Sequence, residues 1–149
     1  MNLIQTLSAL LTPIIAVVTT YIAIQQYRAN KLKLRLELFE KRYAIYQGAK
    51  EFILTAVRDA NLSNDAFFAL NAATQDAFFL FDDTVEKYID TLREKGARLR
   101  FLNDRLADPS LAVGDERSAL STEDSDLCRW FGNQTVEAKR AFKEYLRVI

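Results

Sequence analysis

The chain opens on 27 residues without a charged side chain, and Arg28, Lys31, Lys33, Arg35, Lys41 and Arg42 then arrive within fifteen positions. Eleven of the 22 residues from Leu3 to Ile24 are Leu, Ile or Val. As a helix that run is about 33 Å long, which matches a hydrocarbon core of roughly 30 Å. Gln5, Ser8, Thr12, Thr19 and Thr20 fit such a span, because a helix satisfies its own backbone groups and short hydroxyls bond back to it. Pro13 predicts a mid-span kink. A cleavable signal peptide would need a basic start and a small-x-small site after a shorter apolar run, and no Lys or Arg precedes this one. The pattern predicts a transmembrane anchor over 1–27 and a domain over 28–149. Arg28, Lys31, Lys33 and Arg35 are the expected topology and headgroup residues: positive charge stays cytoplasmic, so the N-terminus points out.

Beyond the anchor the apolar period is helical. Nothing between Ile24 and Val57 is a proline, and Gly48 is the weakest point of a first helix expected to continue from the anchor. Leu32, Leu36, Phe39, Tyr43, Tyr46, Ile53 and Val57 form a heptad seam, broken by Lys50, that is expected to face the bundle. Asn61 to Asn64 is a turn with Ser63 or Asn64 as N-cap. A second helix is expected over about 64–80. Its Asp65-Ala66-Phe67-Phe68 recurs as Asp76-Ala77-Phe78-Phe79, and eleven residues is almost three turns, so the two Phe pairs are expected to stack as core. A third helix runs from about Thr84 to Ala107 with Val85, Tyr88, Ile89, Leu92, Leu99, Leu102 and Leu106 inward, stopped at Asp108-Pro109. A fourth ends near Gly132 and a fifth carries Val136, Phe142, Tyr145, Leu146 and Ile149. The expected fold is all-α: an N-terminal transmembrane helix continuing into a cytosolic antiparallel helical bundle.

One angular pattern concerns partners. At 100° per residue, Gln5, Ser8, Ala9, Thr12, Ala16, Thr19, Ala23 and Gln26 share an arc about 100° wide, and the large apolar residues of the span lie outside it. Helices that pack in a membrane use small and hydroxyl residues for close approach, so this stripe is the expected self-association face of a homo-oligomer. The same sector continues as Tyr27, Leu34, Leu38, Ile45, Ala49 and Phe52, a second stripe read as spare for a neighbour.

Composition narrows the class. Four Gly and two Pro are too few for a β-sandwich. Cys128 is the only cysteine, which leaves no intrachain disulfide, as a reducing cytoplasm implies. Zero net charge hides a split of +5 over 28–50, −8 over 51–126 and +3 over 127–149.

The stretch Tyr27 to Tyr43, with Ala77-Phe78-Phe79-Leu80-Phe81, resembles an uncharacterised family of small bacterial single-pass membrane proteins with a helical cytosolic domain. That resemblance implies a bacterial inner-membrane address and carries no enzymology.

The search for chemistry ends early. Without His, Ser- or Cys-nucleophile catalysis lacks its usual base, and di-iron Glu-x-x-His pairs and Cys/His zinc clusters cannot be built. There is no Gly-rich phosphate loop. Asp82, Asp83 and Glu86 read as a cap and acidic first turn rather than a cation site. Cys128 beside Trp130 and Phe131 reads as core rather than reactive thiol. No cofactor, metal or catalytic residue is expected, and the basic collar reads as lipid contact, not nucleic-acid binding. Two functions compete: an interaction module or scaffold that recruits a cytosolic partner, and a membrane-perturbing effector in stress or phage defence.

Overall fold

The computed structural model describes residues 3–147, with the side chains of 3–10 and Thr12 outside that description. Every regular element among the described residues is a helix: α1 Leu3–Asp59, α2 Asn64–Thr74, α3 Ala77–Leu80, α4 Asp83–Ala107 and α5 Asp115–Phe142. The chain divides by packing into two units, Met1–Leu38 and Phe39–Ile149. The all-α expectation stands.

In the Phe39–Ile149 unit, α1 buries Ile45, Tyr46, Ala49, Phe52, Ile53 and Ala56. Those positions span an arc of about 120°, the wide apolar stripe of a core-facing helix. This corrects the expected seam. Tyr46 and Ile53 come from the heptad row, Ile45, Ala49 and Phe52 from the stripe read as spare, and Tyr43 and Val57 are exposed. Small residues decide the rotation. A Cβ on Gly48 would lie 2.3 Å from the Cβ of Ala73, so α1 and α2 touch where glycine permits it. Gly48 is a packing contact, not a break; the helix runs through it.

Ser63 caps α2, its Oγ accepting from the Ala66 amide at 3.3 Å, a bond worth about 1 kcal/mol in typical helices. Before it, Ala60 has φ 49°, the left-handed region that L residues enter at a cost. The Asn103 side-chain amide donates to the Ala60 carbonyl at 3.0 Å and to Asp124 at 3.1 Å, tying that turn to α4 and α5.

The single helix expected over 64–80 is divided. Turn residues Gln75 and Asp76 separate α2 from the four-residue α3. Nor do the Phe pairs stack as core. Phe67 is half-buried, with its ring 5.2 Å from that of Phe52, while Phe68, Phe78 and Phe79 are exposed.

Helix α4 matches its expected range to within a residue. Asp82 caps it, accepting from the amides of Thr84 and Val85 at 3.1 and 3.3 Å. The Tyr145 hydroxyl also donates to that carboxylate and, with the amides, holds its pKa below the usual range. Val85, Ile89, Leu92, Gly96, Leu99 and Leu102 form the buried face. A Cβ on Gly96 would meet Phe52 Cζ at 2.7 Å and Leu62 Cδ1 at 2.8 Å.

The two last helices expected from the sequence are one, because α5 passes through Gly132. Glycine costs a helix about 1 kcal/mol, and buried Phe131 and Gln134 on either side offset that. Helix α5 runs opposite to α4: Arg105 pairs with Glu116, and the Arg98 guanidinium grips Glu123 through two bonds of 2.6 and 2.7 Å.

Aromatic side chains fill the core in two groups. Phe81 and Tyr46 pack on Phe142 at 5.2 and 5.5 Å, and Phe81 meets Tyr145 at 5.1 Å. Phe52 and Trp130 pack on Phe131 at 6.3 and 5.0 Å. Arg93 of α4 reaches α2, donating to Asn71 at 2.8 Å and to the buried Thr74 hydroxyl at 3.0 Å.

Candidate functional site: an exposed apolar helix and its basic flank

In the Met1–Leu38 unit every large apolar side chain described is exposed: Leu11, Ile14, Ile15, Val17, Val18, Tyr21, Ile22, Ile24 and Tyr27. Val17 reaches 70%. From Leu11 to Ile24 these residues cover about half of the helix, and Ala16, Thr19 and Ala23 lie on the remaining side; no other element of this unit covers the helix. Pro13 lies within α1, which continues through it.

The polar groups of this stretch turn inward on their own helix. The Thr19 hydroxyl donates to the carbonyls of Ile15 and Ala16 at 2.9 and 3.0 Å, and that of Thr20 to Ala16 at 2.7 Å. The Gln25 amide donates to the Tyr21 hydroxyl at 3.0 Å. Such bonding leaves few polar groups that need water.

Of the self-association stripe, Ala16, Thr19 and Ala23 are exposed along α1. The side chains of Gln5, Ser8, Ala9 and Thr12 lie outside the described residues. So does much of the span: among the described residues no helix is long and apolar enough to cross a membrane, and the expected 22-residue run includes positions 3–10 and 12.

The four flanking cations divide little. Arg28, Lys31, Lys33 and Arg35 are all exposed on α1, and Lys33 lies 3.9 Å from Glu37 one turn on. Leu32, Leu34, Leu36 and Leu38 stand exposed among them. Arg42, counted in the same collar by sequence, does other work. Its Nε donates to the Leu80 carbonyl at 3.1 Å, and its guanidinium lies 6.0 Å from the Phe81 ring and 5.7 Å from that of Tyr145. It closes the end of α3.

Elsewhere the surface offers little chemistry. Among the described residues no group of three His, Cys, Asp or Glu side chains could hold a metal ion. Asp82 is committed to its helix cap. Cys128 is half-buried, and burial, with Asp124 nearby, pushes its thiol pKa up, away from the nucleophilic thiolate. A cleft of about 420 Å³ beside Trp130 is crossed by the Arg98–Glu123 pair, whose charges satisfy each other.

Sequence reasoning missed one surface. Phe68, Phe78 and Phe79 are 71%, 64% and 80% exposed. The signal was there in the charges: from Asn64 to Glu86 there are five acidic residues and no basic one, a composition suited to a surface rather than a core.

Comparison with protein-family models, with curated proteins and with solved structures finds no match.

Proposed function

We propose that this protein is a membrane-tethered, self-associating helical interaction module of the bacterial inner membrane. The reading rests on one observation: from Leu11 to Ile24 α1 carries no charge and every large apolar side chain described there is exposed, with cations following from Arg28. In water each of those side chains forfeits about 1.5–3 kcal/mol relative to burial, an outlay that a bilayer removes. Tyr21 and Tyr27 stand near the basic flank, where aromatic side chains favour the headgroup level. Arg28, Lys31, Lys33 and Arg35 then hold the N-terminus outside and the Phe39–Ile149 unit on the cytoplasmic side. The choice of the bacterial inner membrane rests on the resemblance expected from Tyr27 to Tyr43, and no family model matches the chain.

Self-association follows the small-residue stripe. Ala16, Thr19 and Ala23 allow backbones to approach where Val17 and Val18 do not. No enzymatic role is proposed, since no described constellation pairs a nucleophile with a base.

Disulfide crosslinking in membranes tests this, with single cysteines scanned over positions 4–24 in a Cys128→Ser background. Crosslinks should peak at 5, 8 or 9, 12, 16, 19 and 23 and fall away between. Ala16→Leu should abolish the oligomer and Val17→Leu leave it intact. A flat profile, or a peak on the Leu7–Leu11–Val18 side, contradicts the proposed contact.

A further inference from the structure

Exposure does not separate the four flanking cations, but the side of α1 on which they stand does. At 100° per residue Arg28, Lys31 and Arg35 share an arc about 60° wide. Lys33 stands roughly 170° from the middle of that arc, and its ammonium lies 3.9 Å from the Glu37 carboxylate. Glu37 and Glu40 are the first two carboxylate side chains of the sequence, and both fall on the Lys33 side. One side of the flank thus collects three cations and no acid, whereas the other mixes the two signs.

Depth and neighbours select the occupant. Val17 and Ile24 stand in the same arc as the three cations, and both are exposed. Apolar side chains suited to acyl chains therefore lead directly into the cationic side. Arg28 follows Ile24 by about 6 Å along the helix axis and Lys31 by about 10 Å. The headgroup layer is roughly 5–7 Å deep. Helical side chains lean towards the N-terminus, here towards the span, which brings the Arg28 and Lys31 heads back into that layer. Arg35 stands one turn further out. Two cationic heads at headgroup depth, backed by a third, match more negative charge than one monoanionic phosphodiester supplies. The arc is centred about 120° from the side of Ala16, Thr19 and Ala23, so lipid held there does not compete with the proposed contact between copies.

We propose that this side of α1 binds an anionic phospholipid whose headgroup carries two phosphates. Arg28 and Lys31 grip the phosphates, Arg35 adds charge behind them, and Val17 and Ile24 lie along the acyl chains. This rests on the membrane-tether reading and names the class of lipid that the tether gathers.

The full chain in detergent micelles is titrated with diphosphatidylglycerol and, at equal total phosphate, with phosphatidylglycerol, and bound lipid is counted by native mass spectrometry. The two-phosphate lipid should bind saturably and more tightly, and added salt should weaken it. One cation at a lipid surface is worth about fivefold in affinity, so Arg28→Gln and Lys31→Gln should each weaken binding by about that factor and the double replacement by about twenty-five-fold. Lys33→Gln, on the mixed side, should weaken it far less. Circular dichroism should show the same helix content throughout, because the replaced side chains are exposed. Equal binding of the two lipids at matched phosphate, or equal losses in Lys33→Gln and Lys31→Gln, overturns the assignment. So does displacement of the lipid by inorganic pyrophosphate, since the ligand would then be a soluble phosphate. A chain recovered with membranes that shows no lipid preference loses this inference and keeps the tether; recovery in the aqueous fraction removes both.

Discussion

Helix α1 holds two regions that differ in what surrounds them. From Phe39 to Asp59 one side, carrying Ile45, Tyr46, Ala49, Phe52, Ile53 and Ala56, is buried, while Tyr43, Leu54 and Val57 stay exposed. From Leu11 to Ile24 it carries no charge, and every large apolar side chain described there is exposed. Both are well-formed helix, so the backbone does not distinguish them. The pattern of side chains does. A one-sided buried stripe suits a protein core, whereas the uncharged exposed run, with its Thr hydroxyls bonded back to the helix, is the feature on which the proposed tether rests.

The largest effect expected on the buried side is a cavity. Phe131 is fully enclosed, and Phe131→Ala should cost about 3–5 kcal/mol of stability, read as a lower denaturation midpoint. Phe78→Ala should move that midpoint by less than about 0.5 kcal/mol, as exposed positions do. Equal losses in the two would break the distinction between core and surface rings. Gly48→Ala comes next. It should destabilise by about 1–3 kcal/mol through overpacking against Ala73, although alanine is the better helix former. Gly132→Ala meets nothing within 4 Å and should stabilise by about 0.5–1 kcal/mol. Opposite signs for these two replacements are the sharpest check that α1 is packed at Gly48 and α5 is open at Gly132.

A smaller effect concerns pH. The folded pKa of the Asp82 carboxyl is depressed, chiefly by the Tyr145 hydroxyl. Its contribution is therefore complete above the ordinary carboxylate range and is lost as pH falls through the folded value. Thermal melts over acidic pH should show that loss, and Asp82→Asn should flatten this part of the profile. An unchanged profile would mean that the cap does not couple to folding.

Local chemistry explains which parts of the fold were legible in the sequence. Ser63 and Asp82 have side chains that bond their own backbone, and both cap helices as their positions suggest. Asp108-Pro109 ends α4 because the residue before a proline avoids helical backbone. The rows of α1 were not legible. Two apolar stripes run along it, and only packing against Ala73 and the α4 face decides that Ile45, Ala49 and Phe52 go inside while Tyr43 and Val57 stay out. The Asp-Ala-Phe-Phe echo misled for a related reason. Its eleven-residue spacing assumes one unbroken helix, which Gln75 and Asp76 interrupt, and spacing cannot say whether a side meets a core. Gly132 was read as a stop, although one glycine is a weak breaker in a long helix with a buried face. Of the site itself, the basic flank and the apolar run were plain from sequence, whereas Arg42 joined them only by proximity and is used at Leu80 instead.

The account turns on whether the exposed upper part of α1 lies in hydrocarbon, and thiol accessibility tests that directly. Val17→Cys and Leu34→Cys, each in the Cys128→Ser background, place a thiol at two positions that are both open in the protein alone. Maleimide reacts with the thiolate, which does not form in a bilayer. In inverted membrane vesicles, Leu34→Cys should react with a membrane-impermeant maleimide, and Val17→Cys should react only after detergent is added. Equal labelling of the two before detergent, in a chain recovered from the aqueous fraction, would contradict the membrane tether.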